Sequence, residues 1–308
     1  MVHNSVMVDH ALTFRAGRFL GSALGESRMH HALATRFGRN VNTLRTNQPL
    51  SDDQIRAVAP SIFAADKHVS RSNRYTYIPT VDVLTGLRRE GFEPFMVAQS
   101  RVRDEAMREH TKHMVRLRHA GQIDTSAANE IILINSHNGS SSYQMLAGMY
   151  RFVCANGLVC GDTSADFRMP HKGNIVESVI GGAYEVLDGF TRIVEERESM
   201  QALTLNTAEQ QLFARAALSL KYDVTDARPA PVTEDQVLQS KRSADTSNDL
   251  WTTFNRVQEH LVRGGLRARA ANGRRATTRP VAGIDQNVKL NRALWMLASG
   301  MRDLRSAA

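Results

Sequence analysis

A chain of 308 residues, 42% of them hydrophobic, is long enough to bury a proper core as one large domain or as one domain with a helical extension. Its two cysteines, Cys154 and Cys160, match neither a CxxC motif nor a paired zinc half-site, so they read as buried thiols in a reducing cytosol. The net charge of +8 and pI near 9.9 come mainly from arginine, which grips phosphate with two prongs; with no apolar stretch long enough to span a bilayer, this points to a cytoplasmic protein with a nucleic-acid partner and no membrane.

Residues 1–50 form an N-terminal segment or arm, with helix-like material from Leu20 to Phe37 and an extended run from Val41 to Leu44. Ser51 with Gln54 has the form of a capping box and opens a short helix towards Val58, limited by Pro60. After Ser70, the run Tyr75 to Ile78 suggests an edge strand ended by Pro79, and Thr80 then caps a helix that carries Val81, Val83, Leu84 and Leu87 and stops at Gly91.

From Phe92 the period changes to two. One face of FEPFMVAQSRVR takes Phe95, Val97, Gln99, Arg101 and Arg103, and one face of KHMVRLRHA takes Lys112, Met114, Arg116 and Arg118. Paired as an antiparallel hairpin through Asp104 to His110, these strands gather arginines on a shared solvent-facing surface that suits a phosphate backbone. A solvated polar face of a half-buried sheet is the plainer account of the same alternation.

Gly121 to Glu130 reads as a loop and Ile131 to Ile134 as a third strand. The small polar loop His137 to Ser142 leads into an expected helix from Tyr143, with Met145, Leu146, Met149, Phe152 and Val153 on its apolar face, Asn156-Gly157 as its stop, and Leu158 and Val159 buried beyond it. Free backbone N–H groups at such a helix start, with Ser140 and Ser141 beside them, suit a phosphate; the same residues also make an ordinary cap and turn. The loop lacks the lysine and outer glycines of a Walker A motif.

Beyond Cys160 the pattern is helical. One long amphipathic helix is expected from Asn174 to Met200, then a capping box of Thr207 with Gln210 opening a helix through Leu220. Residues 223–234, with Pro229 and Pro231, read as a linker between a core domain, 51–222, and a helical C-terminal region, 235–308. Leu250, Phe254, Val257 and Leu261 mark a helix stopped by Gly264-Gly265. Then Arg263, Arg267, Arg269, Arg274, Arg275 and Arg279 follow one another with no acidic residue between them, in a glycine-containing segment that suits a basic arm ordering on nucleic acid. A last helix carries Val288, Leu294, Trp295 and Met301.

The eleven histidines include His110, His113 and His119 around one strand, but no HExxH, paired CxxC or GxSxG motif is present. His113 and His119 bind a metal only with a third ligand from elsewhere, and Asn255 with Glu259, one helical turn apart, make a polar pair that helix-surface hydrogen bonding explains. No catalytic constellation, cofactor or metal is expected.

The runs NSHNGSSS and RFVCANGLVCG, with SDDQIRAVAPSIFA, SNRYTYIPTVDVL, NDLWTTFNRVQEHLVRGG and GIDQNVKLNRALWMLA, resemble a phage- and plasmid-borne family of proteins of unknown function, over roughly Gln48 to Leu297. The order of elements, helix then three strands then helix, together with the charge, is also similar to the ring-forming single-strand annealing proteins of the Redβ, Erf and Rad-fifty-two types, an analogy of fold alone. The expectation is therefore an α+β protein: a small antiparallel sheet in a helix-β-β-β-α core with a largely helical C-terminal part. Its expected function is single-stranded DNA binding and annealing, in recombination or the establishment of incoming DNA, as a homo-oligomeric ring or filament without enzymatic activity. The rivals are a protein-binding accessory or anti-defence factor without DNA affinity, and a metal-dependent nuclease.

Overall fold

The computed structural model describes residues 41–71, 77–119, 121, 127–161, 167–168, 175–225, 228–270, 273–281 and 283–307; the expected helix between Leu20 and Phe37 and most of the expected edge strand near Tyr75 lie outside them. The class is the expected α+β, an antiparallel sheet followed by a largely helical C-terminal part. In chain order the elements are β1 (Val41–Arg45), α1 (Asp52–Val58), α2 (Thr80–Arg89), β2 (Phe92–Ser100), β3 (His113–His119), β4 (Ala127–Asn135), β5 (Gln144–Arg151), β6 (Asn156–Val159) and the two-residue β7 (Phe167–Arg168). There follow α3 (Ile175–Asp188), α4 (Phe190–Ala202), α5 (Thr207–Lys221), α6 (Glu234–Leu238), α7 (Leu250–Arg263), a hairpin of β8 (Arg267–Arg269) and β9 (Arg275–Thr277), and α8 (Ile284–Ser306).

The capping box at Ser51 is present in both directions: Gln54 N–H donates to Ser51 Oγ and Ser51 N–H to Gln54 Oε1, at 3.3 and 3.0 Å. Two other starts shift by one residue. Thr80 is the first residue of α2 behind Pro79, and the box opening α5 is Asn206 with Glu209 rather than Thr207 with Gln210. The long helix expected over Asn174–Met200 divides at Gly189 into α3 and α4.

The sheet runs β1-β2-β3-β4-β5-β6, each strand antiparallel to the next, with β7 also beside β5. The helix expected from Tyr143 is instead β5. Met145, Ala147 and Met149 pack into the main core on one face while Leu146 packs on the other, so the strand is apolar throughout and its alternation is hidden. Gly148 lets β5 approach β4, since a side chain there would start 2.6 Å from Ile132 Cδ1. Ala127–Glu130, expected as loop, is the buried first half of β4.

The sheet is curled. Arg116 on β3 donates to the Leu158 carbonyl on β6 at 3.0 Å, three strands away. In a flat sheet that separation is about 14 Å, beyond the reach of any side chain. Both faces are covered: one by helices contributing Val83, Leu84, Leu87, Val179 and Ala183, the other by Ile284 and Val288 from the start of α8. The main buried cluster extends from Leu50 to Ala298. Within the helical layer Trp251 stacks on Phe254 with ring centres 5.6 Å apart, Trp295 meets both edge-on at 6.3 and 6.1 Å, and its indole N–H donates to Glu196 Oε2 at 3.2 Å.

Among the described residues no helix is long and apolar enough to cross a membrane.

Candidate nucleic-acid interface

The curl decides the fate of the strand arginines. The alternation places Arg116 on the face of Met96 and Ile132, and that face turns inward beneath α8 and β6. Arg116 and Arg118 are only 1% and 2% exposed, so the expected solvent-facing basic surface is not there. Both are held by Glu130, itself fully buried: Arg116 Nη1 donates to Oε2 at 2.7 Å, and Arg118 Nε and Nη2 donate to Oε1 at 3.0 and 2.9 Å. Arg45, 4% exposed, lies over the Tyr150 ring at 4.5 Å, and Arg118 lies over the same ring at 4.4 Å. Burial alone pushes the Glu130 carboxyl up, but the three guanidiniums outweigh it and hold the group below its usual range. These arginines are engaged in a charged interior and present no exposed face.

The other candidates on this side separate as well. Arg101 and Arg103 are exposed past the end of β2, where Arg101 Nε donates to Asn42 Oδ1 at 2.7 Å. Lys112 pairs with Asp285 at 2.5 Å. Ser140 and Ser141 sit in the β4–β5 connection, since no helix begins at Tyr143: Ser140 N–H donates to Asn138 Oδ1 and Ser141 N–H to Ser136 Oγ, at 3.0 and 2.8 Å. Their backbone donors are already used, and no helix dipole points at them.

The histidines form an internal polar cluster. His113 is bonded on both ring nitrogens, to Ser61 Oγ and Thr80 Oγ1 at 2.9 Å each, and burial holds its pKa down to about 3. His137 lies 5.3 Å away between ring centres, fully buried, with neither ring nitrogen in hydrogen-bond geometry and burial pulling its pKa to about 4. His119 lies at the far end of β3 against Phe92, so His113 and His119 do not share a metal. No group of three His, Cys, Asp or Glu side chains among the described residues is arranged to hold a metal ion. Asn255 donates to the Trp251 carbonyl, and Glu259 takes Arg242 and Arg263 at 2.7 and 2.6 Å, a structural pair of roles.

The arginine-rich segment after α7 behaves differently. Instead of a flexible arm it forms an anchored two-stranded hairpin, with Arg267 opposite Thr277, Ala268 opposite Ala276 and Arg269 opposite Arg275. Gly264, at φ 65°, opens it; a side chain there would start 2.6 Å from the Thr278 carbonyl oxygen. Gly273, at φ 77°, lies in the turn, and its N–H donates to the Ala270 carbonyl at 2.8 Å. Four further bonds fasten the hairpin: Arg269 N–H to the Pro231 carbonyl at 3.1 Å, Gln236 Nε2 to the Arg267 carbonyl at 2.9 Å, and Lys221 Nζ to the Leu261 and Arg279 carbonyls at 2.5 and 3.0 Å. Arg263 is drawn back to Glu259 and the Cys154 carbonyl, so it belongs to the base rather than the exposed face.

Because side chains alternate along a strand, Arg267, Arg269, Arg275 and Thr277 share one hairpin face, with Ala268 and Ala276 on the other. Arg267, Arg269, Arg274, Arg275 and Arg279 are all exposed. The hairpin borders a cleft of about 1320 Å³ that residues 228–233 also line. Lys221, Arg228, Arg267, Arg269 and Arg275 line it against the single carboxylate of Asp223, which Arg228 pairs at 3.2 Å; Tyr222 adds an aromatic ring. Burial lowers Lys221 to about 8. Sequence reasoning placed Arg267, Arg269 and Arg275 in a binding role but passed over Lys221 and Tyr222, at the end of the core domain, and Arg228, in a stretch whose prolines read as a linker. The readable signal was the alternation Arg-Ala-Arg and Arg-Ala-Thr on either side of Gly273.

Residues 67–295 match the family described as Domain of unknown function (DUF932). The chain is 54% identical over 269 residues to the UPF0380 protein YafZ of Escherichia coli (strain K12), covering 87% of this chain and 97% of that protein. It is 55% identical over 266 residues to the UPF0380 protein YfjQ of the same organism, covering 86% and 96%. No solved structure matches it.

Proposed function

The chain belongs to the DUF932 family, a membership that names no activity; from the geometry of its arginine hairpin we propose that it is a nucleic-acid-binding protein that holds single-stranded DNA in the cleft beside β8 and β9. One observation carries the reading: an anchored hairpin presents Arg267, Arg269 and Arg275 on one face, bordering a cleft with five cations and one carboxylate. Its volume of about 1320 Å³ exceeds the range of roughly 300–1,000 Å³ usual for small-molecule sites, which favours a length of polymer. Guanidiniums bind phosphate oxygens in pairs, and an aromatic ring such as Tyr222 offers a base a stacking surface without selecting sequence. The strand arginines Arg116 and Arg118 have no part in it, and neither does the serine loop.

The test is fluorescence anisotropy with single- and double-stranded oligonucleotides over a salt series. Single strands bind more tightly, and changing Arg267, Arg269 and Arg275 together to alanine makes the log–log salt slope shallower by about 2, since each phosphate contact on a single strand contributes about 0.7. Absence of binding at low salt refutes the reading and puts a protein-binding accessory role in its place.

A further inference from the structure

The two outer edges of the hairpin are not alike. In an antiparallel ladder, residues alternate between pairs that exchange both backbone bonds and pairs whose N–H and C=O groups point outward. Ala270 N–H donates to the Arg274 carbonyl and Thr278 N–H to the Leu266 carbonyl, at 2.9 Å each, which fixes the phase. The outward groups therefore belong to Arg267 and Arg269 on β8 and to Arg275 and Thr277 on β9. The β8 edge is closed, since Arg269 N–H donates to Pro231 and the Arg267 carbonyl accepts from Gln236. On β9 the outward groups of Arg275 and Thr277 have no partner among the described residues, and all three residues of the strand are exposed.

The geometry points to a second copy of this chain as the occupant of that edge: β9 adds to β9 antiparallel about a two-fold axis at Ala276. In that register Arg275 stands opposite the partner's Thr277 and Thr277 opposite the partner's Arg275. Both residues of each pair already point their N–H and C=O outward, so the two pairs exchange two bonds each. A slip of one residue presents groups already spent on β8, and a slip of two leaves one such pair within the strands in place of two, so this register makes the most bonds. Arg275 of one copy meets Arg275 of the other only diagonally, at about 7–8 Å, avoiding the unfavourable like-charge pair directly opposite. The product is a four-stranded sheet, β8-β9-β9-β8, with the three arginines of each hairpin on one continuous face. A free nucleic-acid strand has no ladder of N–H and C=O groups to fill such an edge.

This deepens the single-stranded DNA reading and rests on it for what lies across the joined arginine face. Three-residue strands pair weakly by themselves, and a polyanion spanning both hairpins removes the repulsion between them. The experiment uses the full chain with Ala276→Cys, oxidised with and without a 30-nucleotide single-stranded DNA, and Arg267→Cys on the closed edge for comparison. At the two-fold axis the paired Cα atoms stand about 4.5 Å apart in a non-hydrogen-bonded pair, within disulfide range. The native Cys154 and Cys160 are buried. The expected result is a disulfide-linked dimer for Ala276→Cys, enriched at least several-fold by the oligonucleotide, and monomer for Arg267→Cys. In parallel, sedimentation of the unmodified chain gives two copies per oligonucleotide, and Thr277→Pro, which removes an outward N–H without touching a bond to β8, gives one. Uncross-linked Ala276→Cys under both conditions, together with one copy per oligonucleotide for the unmodified chain, overturns the edge pairing and leaves DNA binding standing. Cross-linked dimer with no oligonucleotide affinity supports the edge pairing and overturns the DNA reading instead.

Discussion

Glu130→Gln removes one charge from the interior of the curled sheet and leaves the size of the side chain almost unchanged. In the native protein this carboxylate takes Arg116 at 2.7 Å and Arg118 at 2.9 and 3.0 Å, with both guanidiniums and the carboxylate out of water. The amide keeps one acceptor, but its NH2 faces a guanidinium, and Arg45, Arg116 and Arg118 are left without any counter-charge. Removing one partner of a buried ion pair costs about 3–5 kcal/mol, and because two arginines lose their acceptor the upper end applies. Set against a typical total of about 5–15 kcal/mol, that is a large share of the stability. With a urea slope of about 3 kcal/mol/M, the midpoint falls by about 1–1.7 M, readable by circular dichroism. The acid limb supplies a second signature. The folded Glu130 sits below its usual 4.5, so its contribution is present above that value and is lost as pH falls through the lowered one; the variant lacks this loss. A penalty below about 1 kcal/mol, the value of an exposed pair, refutes the account of a charged interior.

Other outcomes follow from the same geometry. Gly157→Ala places a methyl 2.2 Å from Arg116 Nη1 and 3.1 Å from Arg45 Nη2, and is expected to cost about 1–3 kcal/mol, seen as a melting temperature lowered by several degrees. His113 and His137, held to about 3 and 4, stay neutral in the fold while the unfolded chain takes up protons below 6.5. Stability is therefore full above 6.5 and declines as pH falls, by about 2 kcal/mol per histidine at pH 5; His137→Phe removes its share at little cost at pH 7, as denaturation at the two pH values will show. Gly264→Ala forces a side chain against Thr278 and Arg279 at a positive φ, so oligonucleotide affinity drops while the helical signal in circular dichroism persists. Changing Arg267, Arg269 and Arg275 to alanine leaves the unfolding free energy from urea denaturation within about 0.5 kcal/mol of the parent, because all three are exposed.

What the sequence made legible was local. The capping box at Ser51, the pairing of Phe92–Ser100 with His113–His119, and the helices ending at Gly264 and carrying Trp295 depend on residues close together in the chain. The β5 strand was not legible, since burial of both faces removes the alternation that separates strand from helix. The period of two told which side chains share a face with Arg116, but only the curl and the α8 cover decide that this face is dry. Glu130 misled in the same way: a charged residue reads as loop until its two arginine partners, 12 and 14 positions away, are seen to arrive. At the candidate site the arginines were visible as composition, whereas their organisation needed the positive φ of Gly264 and the anchoring bonds from Pro231, Gln236 and Lys221, contacts no local pattern reveals.

The tryptophan cluster has an optical consequence. The chain has two tryptophans, and both sit in the helical layer, Trp251 4% and Trp295 1% exposed, one packed against the other and against Phe254. Intrinsic emission is therefore a gauge of the α7–α8 seam alone, shielded from collisional quenchers and silent about the sheet interior and the hairpin. In a thermal scan, emission that changes before far-ultraviolet ellipticity marks the helical layer as the part that loosens first. During an oligonucleotide titration, a shift in that emission reports movement of the helices themselves and not merely occupancy of the cleft.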